Sequence, residues 1–445
     1  MDPDEARRSV RASNFVTWRK QGGWDPLLIT RAEGSTFWDS DGNAYLDLAS
    51  QLVATNLGHG NRAVMEAIAR QALELPYVAP SFATEPRAAL SEALDGVLPP
   101  GLRRYFFSTS GTEANEAALK IARVATGRSK VIARRRSYHG ATAASISVSG
   151  DPRRVPTERV QRVPGTVFAP DCYCYRCPLK LTYPDCGVAC VEAIDETIRH
   201  EGDVAAVIVE PIVGTNGVLV PVPEYLPRLR EITRRHQVLL IADEVMTGWG
   251  RTGRWFGVDH YGVSPDILTT AKGITGAYVP LGLTATTPEL HEAFRDVYFP
   301  HGHTYEAHPL TLAPAVAAIA EYRRLDLIDR SRREGEYLLR RLREIAEHHP
   351  SVGEVRGLGL FAAVELVRDR ASRRPMNTPE EKLAGAPLVV DAVARAMLKE
   401  GVYAFGWVSH LMVAPPLIIE REELDRGLEV LDRALGVADR EVRAG

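Results

Sequence analysis

The chain has 445 residues, 45% apolar and 25% charged, with a net charge of -3; this composition fits a globular protein long enough for two or three domains and excludes disordered and fibrous classes. So even a charge balance offers no basic field for nucleic acid and no footprint on a membrane, and no run approaches the roughly 18 apolar residues of a membrane span. The start, MDPDEARRSVRASNF, lacks the apolar heart of a signal peptide, and the cysteines, five in all, lie only between Cys172 and Cys190, so a cytoplasmic protein is expected and not a secreted disulfide framework.

Residues 1–55 begin with a polar helix-like stretch and continue into STFWDSDGNAYLDLAS, where Asp41-Gly42 between alternating runs predicts a hairpin. Across 56–310, short apolar runs (Val131 to Ala133, Val204 to Val209, Val238 to Ala242, Ile267 to Leu268) alternate with helical patterns. That rhythm predicts an α/β fold, a large domain built on a doubly wound, mostly parallel sheet. From 311 to 445 two long amphipathic helices, LTLAPAVAAIAEYRRL and EGEYLLRRLREIAEHH, precede the strand-like VGEVRGLGLFAAVELV and a closing helix from about Glu422 to Leu435. This third, together with residues 1–55, is expected to form a smaller α+β domain. Arg370 to Gly385 is polar, contains Pro375 and Pro379, and is expected to be a surface loop.

Within that frame, several stretches carry chemistry. In FFSTSGTEANEAALKIARVATG, Ser110 and Glu113 have capping-box spacing, and Leu119, Ile121, Ala122 and Ala125 form an apolar helical face ending at Gly127. Capping alone explains Ser110 and Glu113. Gly111 and Thr112 are better explained by a phosphate, which free N–H groups, a hydroxyl and the positive end of a helix dipole would hold. Further on, SYHGAT puts Tyr138 just past a strand, where its ring either stacks on a heteroaromatic or sits in the core with its hydroxyl satisfied. His139 is either a neighbour of the site or a satisfied structural histidine, the second being expected. The cysteines of DCYCYRCPLKLTYPDCGVAC (Cys172, Cys174, Cys177, Cys186 and Cys190) match no standard zinc spacing and have no histidine among them, so unpaired thiols on a surface loop are preferred to a metal site.

Two buried strands end in carboxylates. DVAAVIVEPIVG ends in Glu210, which Pro211 follows, and VLLIADEV ends in Asp243 and Glu244, with Val245 on the same side of the extended chain as Asp243. In open parallel sheets ligands lie at the carboxyl ends of strands. Lys272 follows the next apolar run, twenty-nine residues after Asp243, so a carboxylate and an amine are predicted to face one crevice. Such a pair suits pyridoxal phosphate, whose aldehyde takes a lysine and whose pyridine nitrogen takes an acid partner. The alternative is that Asp243 caps a turn and Lys272 is a solvated side chain.

SGTEANEAALK, YHG, VEPI, IADEVMTGWGRTG, DILTTAKG and HGHTYEAHPL, in this order and over nearly the whole chain, resemble the motifs of class III pyridoxal-phosphate aminotransferases of the aspartate aminotransferase fold (fold type I). The resemblance implies that Lys272 is the Schiff-base lysine and Asp243 the partner of the pyridine nitrogen. It further implies that Tyr138 and Val245 cover the two ring faces, and that Ser110, Gly111 and Thr112 hold the phosphate, joined by Thr304 from the second subunit of a homodimer. Glu210 would match a glutamate near the cofactor that in several members pairs with a substrate-binding arginine. The implied activity is ping-pong transfer of an amino group from a small-molecule donor, an ω-amino acid or primary amine, to a keto acid such as pyruvate.

Many relatives carry a carboxylate-binding arginine shortly before the APPL segment, but GVYAFGWVSHLMVAPPLII contains none. Phe405 and Trp407 are there instead, as an apolar wall or as core, and Val53 occupies a position where some ω-transaminases place a pocket aromatic. The cysteine stretch is similar to one in taurine:pyruvate and other ω-amine transaminases. A racemase, aminomutase or decarboxylase of the same fold is the alternative activity; a metal-stapled binding module with an inert Lys272 would explain none of the six motifs.

Overall fold

The computed structural model describes residues 1–443. Three sheets form the frame. The first runs β1 (Ile29–Glu33), β2 (Thr36–Asp39), β3 (Ala44–Asp47), with β2 and β3 antiparallel across Gly42, whose φ of 85° is the left-handed region that glycine enters without strain. Next comes the large sheet, built from β4 (Arg104–Ser108), β5 (Lys130–Arg134), β6 (Thr166–Ala169), β7 (Val204–Val209), β8 (Leu239–Asp243), β9 (Ile267–Thr270) and β10 (Gly282–Thr286). The C-terminal sheet contains β11 (Val352–Gly357), β12 (Ala362–Asp369), β13 (Arg374–Pro375), β15 (Phe405–Trp407) and β16 (His410–Val413), while the short β14 (Val402–Tyr403) joins β3 in parallel and so ties the two chain ends together.

The large sheet has the order β4-β10-β9-β8-β7-β5-β6, and every neighbouring pair from β9 to β6 is parallel, whereas β10 runs antiparallel to both of its partners. All six residues of β7 are buried, as expected of a strand covered by helices on both faces. The chain leaves β5 toward the β6 edge but leaves β7 toward β8 and β9. A crevice therefore opens at the carboxyl ends of β5 and β7, where the winding reverses.

One buried cation locks the chain ends onto this sheet. Arg251 donates to the carbonyls of Leu360 and Pro415 at 2.9 and 2.6 Å, to Ser50 Oγ at 3.0 Å and to Asn56 Oδ1 at 2.7 Å. Burial alone pulls its pKa down to about 10, because desolvation penalises the charged form. The segment Arg370 to Gly385 is more ordered than its composition suggests. Arg374–Pro375 adds to β12, and a short helix, Pro379–Ala384, starts from a capping box between Thr378 and Glu381. Here the polar residues satisfy helix-end N–H groups as well as facing water. Among the described residues no helix is long and apolar enough to cross a membrane.

Candidate active site

The crevice collects side chains from the ends of β5, β7, β8 and β9. Asp243, the last residue of β8, is buried, and its Oδ2 accepts from Asn115 Nδ2 at 2.7 Å and from His139 Nδ1 at 2.8 Å, while its Oδ1 accepts the Val245 N–H at 3.0 Å. Asn115 is oriented in turn by Thr269 on β9 and by the His139 carbonyl. His139 was expected to be a satisfied structural histidine. It is instead a neighbour of Asp243, and its buried Nε2 has no partner; the short sequence SYHG cannot show a carboxylate that arrives from a strand more than a hundred residues on.

Glu210 follows β7 directly and is buried. Its Oε1 accepts the Tyr138 N–H at 3.0 Å and its Oε2 the Gly214 N–H at 2.7 Å. Burial raises its pKa, with Asp243 adding to the effect and His139 opposing it. Its carboxylate makes no ion pair among the described residues; Arg134 reaches only its backbone carbonyl. Lys272, two residues past β9, begins a single helical turn with a φ of 48°. The turn is held closely: an added Cβ on Gly273 would lie 2.6 Å from both Asn56 and Trp249, and Tyr322 donates to the Gly273 carbonyl at 2.7 Å. Burial lowers the Lys272 pKa to about 8 against the opposing pull of Asp243 and Glu210, with Arg153 and Arg251 lowering it further.

At the other end of the crevice the helix Gly111–Thr126 presents its N-terminus. Ser110 is the N-cap, accepting from the Glu113 N–H, but Glu113 does not complete the expected capping box. Its Oε2 takes the Thr109 N–H at 2.7 Å and the Thr109 hydroxyl instead. The Gly111 and Thr112 N–H groups are left without partners among the described residues. Thr112 Oγ1 accepts the Ala141 N–H and touches Thr142 and Ser145. A Cβ on Gly111 would lie 2.8 Å from Val245 Cγ2, and one on Gly140 2.2 Å from Thr112 Oγ1, so both glycines are set by close approach. Free helix N–H groups at one end, a buried carboxylate with three donors at the other and a lysine of lowered pKa between them fit pyridoxal phosphate.

The outer wall differs from expectation. Phe405 and Trp407 stack with planes 12° apart, and Val53 is buried beside Phe405, Phe361 and Met412 with a φ of 57°, unusual for a β-branched residue. Trp407 does not offer a purely apolar face, because Arg153 lies 4.5 Å from its ring centroid and Lys382 5.0 Å. Arg153 also covers the Tyr138 ring at 3.7 Å and the Trp18 ring at 5.0 Å. Asp151, fully buried, fixes it through Nε at 2.7 Å and Nη2 at 3.0 Å, and Nη1 has no partner among the described residues. No sequence signal picked out Arg153. Thr304 is exposed, with its carbonyl accepting the Tyr77 hydroxyl at 3.0 Å, and it makes no hydrogen bond to the residues of the crevice. The five cysteines are free, Cys172 buried and beside Cys190.

The profile of the class-III aminotransferases matches residues 19–435. A taurine–pyruvate aminotransferase of Rhodobacter capsulatus is 37% identical over 92% of both chains, and a putrescine–pyruvate aminotransferase of Pseudomonas aeruginosa 34% identical over 95% of this chain and 93% of its own. The crystal structure of a taurine:2-oxoglutarate aminotransferase from Bifidobacterium kashiwanohense, in complex with PLP and glutamate, superposes with a TM-score of 0.94 over 99% of both chains at 34% identity.

Proposed function

The chain belongs to the class-III aminotransferases and uses pyridoxal phosphate in the fold of that family, and we propose that it moves an amino group from an ω-amino acid with an anionic tail to a small keto acid such as pyruvate. When bound, the cofactor supplies an aldehyde that condenses with amines and a ring that draws electrons from the carbon beside the nitrogen. The residues of the chain do the rest. Gly111 and Thr112 hold the phosphate with backbone N–H groups, Ser110 caps the helix that carries them, and Tyr138 and Val245 enclose the ring. Asp243, oriented by Asn115 and His139, keeps the pyridine nitrogen protonated. Lys272 would hold the aldehyde through Nζ and, as a free amine, would move the proton from the substrate carbon; burial lowers its pKa to about 8, which leaves part of the amine neutral near pH 7, as a proton-accepting group requires.

Donor specificity follows from Arg153. The same pocket must bind two substrates in turn, and the keto acid is an anion. With no arginine in the segment 401–419, the guanidinium framed by Tyr138, Trp407 and Trp18 is the cation that meets either anion, by its unpartnered Nη1 edge. A second ammonium, as in putrescine, is repelled there.

Two copies are proposed to pair, since Tyr77 and Tyr305 pack together and stand exposed beside Thr304, and exposed apolar surface marks interfaces. Thr304 would then reach the partner's phosphate, and the unbridged thiols suit the cytoplasm.

The test is a donor panel of taurine, β-alanine, putrescine and 1-phenylethylamine, with pyruvate as acceptor, on the wild type and Arg153→Met. Taurine and β-alanine should bleach the visible band of the holoenzyme and yield one alanine per carbonyl product. Charge-assisted hydrogen bonds contribute about 1.5 to 3 kcal/mol, so kcat/KM for both should fall about 10- to 150-fold in Arg153→Met, with 1-phenylethylamine little changed. Equal losses for all donors, or none, would defeat the assignment.

A further inference from the structure

A second cavity, of about 390 Å³, lies between the carboxyl ends of β5 and β6 and the C-terminal sheet, and is lined by Arg135, Arg136, Arg176, Arg356, Asn216 and His410 among others. Its charge is gathered unusually tightly. The guanidiniums of Arg136, Arg356 and Arg176 lie 5.1, 5.2 and 5.8 Å from the single ring of Tyr173.

The acids nearby pair with only two of these three. Glu365, almost fully buried, is shared by Arg176 and Arg356 and also accepts the Tyr173 hydroxyl, and Arg356 pairs with Glu354 as well. Asp171 accepts the Arg136 backbone N–H at 3.1 Å, and burial pushes its pKa up against the opposing pull of Arg134, Arg136 and Arg135. Glu380 also lines the cavity. Arg135 and Arg136 form no ion pair among the described residues. His410 adds no positive charge: it donates Nε2–H to the Thr215 carbonyl at 2.9 Å and is held neutral, its pKa pulled down to about 3 by burial with Arg356, Arg136 and Arg176 opposing protonation.

One lining residue also holds a buried donor without a partner. Asn216 is 6% exposed, its Oδ1 accepts Trp407 Nε1–H at 3.3 Å, and its Nδ2 has no hydrogen-bond partner. An unused buried donor is costly unless a ligand satisfies it, the two unpaired guanidiniums of Arg135 and Arg136 favour an anion as that ligand, and the volume is that of a small-ligand pocket.

We infer that this cavity binds a small dianion, a phosphate or a dicarboxylate, through Arg135, Arg136 and Asn216 Nδ2, as a site separate from the one that takes the substrate. The two are neighbours. Gly150 and Pro152 line the cavity while Arg153, next in the chain, faces Tyr138, and Asn216 is one hydrogen bond from Trp407.

The experiment is calorimetric titration of inorganic phosphate, and separately of succinate, into holoenzyme whose cofactor has been fixed to the protein with borohydride, so that the cofactor's own phosphate site is filled. Wild type, the double variant Arg135→Gln/Arg136→Gln, Asn216→Ala and Arg153→Met are compared, each checked for an unchanged thermal transition. Saturable 1:1 binding of at least one probe, weakened at least about 10-fold in the double variant and in Asn216→Ala but retained in Arg153→Met, is expected. The stronger probe then tells phosphate from dicarboxylate. Binding lost only in Arg153→Met would place the anion in the substrate site and overturn the inference, as would binding unaffected by any variant or no binding of either probe. None of these outcomes depends on which amine the enzyme uses.

Discussion

The floor of the crevice and its outer wall are built in different ways. The floor, Asp243, Glu210, Lys272 and the start of the helix at Gly111, comes from strand and helix ends of one sheet, and every carboxylate oxygen of Asp243 and Glu210 has a backbone or buried side-chain donor. The wall, Trp18, Val53, Arg153, Phe405 and Trp407, comes from four distant segments, and its key cation is fixed mainly by a carboxylate two residues away and by three ring faces. Groups that must stay in register with a cofactor are placed on rigid elements, whereas groups that select a substrate can change without disturbing the sheet. On the proposed roles, chemistry and specificity are thus separable in this molecule.

Substitutions on the two sides should therefore behave differently. The largest effect is expected of Lys272→Ala, which removes both the anchor for the aldehyde and the proton carrier: turnover should drop by at least about 10⁴-fold for every donor, at the upper end of general acid–base effects, with circular dichroism unchanged. In the cofactor-free wild type, the amine must be neutral to add to an aldehyde. Because burial lowers its pKa from 10.5 to about 8, the rate at which added pyridoxal phosphate develops its visible band should climb as pH rises through about 8 and then level off. A plateau reached only above about pH 10, where an ordinary lysine titrates, would contradict the lowered value.

Asp243→Asn should follow, with kcat reduced about 10²- to 10³-fold, the scale of losing one preorganised electrostatic partner, and again to the same extent for taurine and 1-phenylethylamine. Donor-dependent loss there would break the distinction between floor and wall. The smallest effect is expected of Trp18→Ala. Its ring is partly exposed, and an exposed cation–π contact contributes about 0.5 to 1 kcal/mol, so KM for taurine should rise about 2- to 5-fold with kcat nearly constant. An equal fall in kcat would show that Trp18 supports the floor instead.

Much of the floor was legible because it is local. An apolar run of strand length that stops at a carboxylate marks its own position at a sheet edge, and SGTEAN carries both the N-cap and the glycine whose missing Cβ makes room for Val245. The wall was not. Arg153 and Arg154 are adjacent and chemically alike, yet Arg153 turns back to Asp151 and Tyr138 while Arg154 pairs with Glu158 one helical turn on. Trp18 stands 135 positions before the cation it covers. His139 was misjudged for the same reason, its partner lying on another strand.

The sequence by itself determined the alternation of strands and helices, the carboxylates and lysine at strand ends, and the family to which those motifs belong, because each depends on patterns of a few residues that physical chemistry constrains locally. Only the tertiary structure decided which arginine stands among the rings of the outer wall, that His139 serves Asp243, and that four arginines surround a cavity beside the site. Those depend on side chains brought together from far apart in the chain, and burial then sets their charge, a quantity that exists only once the chain has folded around them.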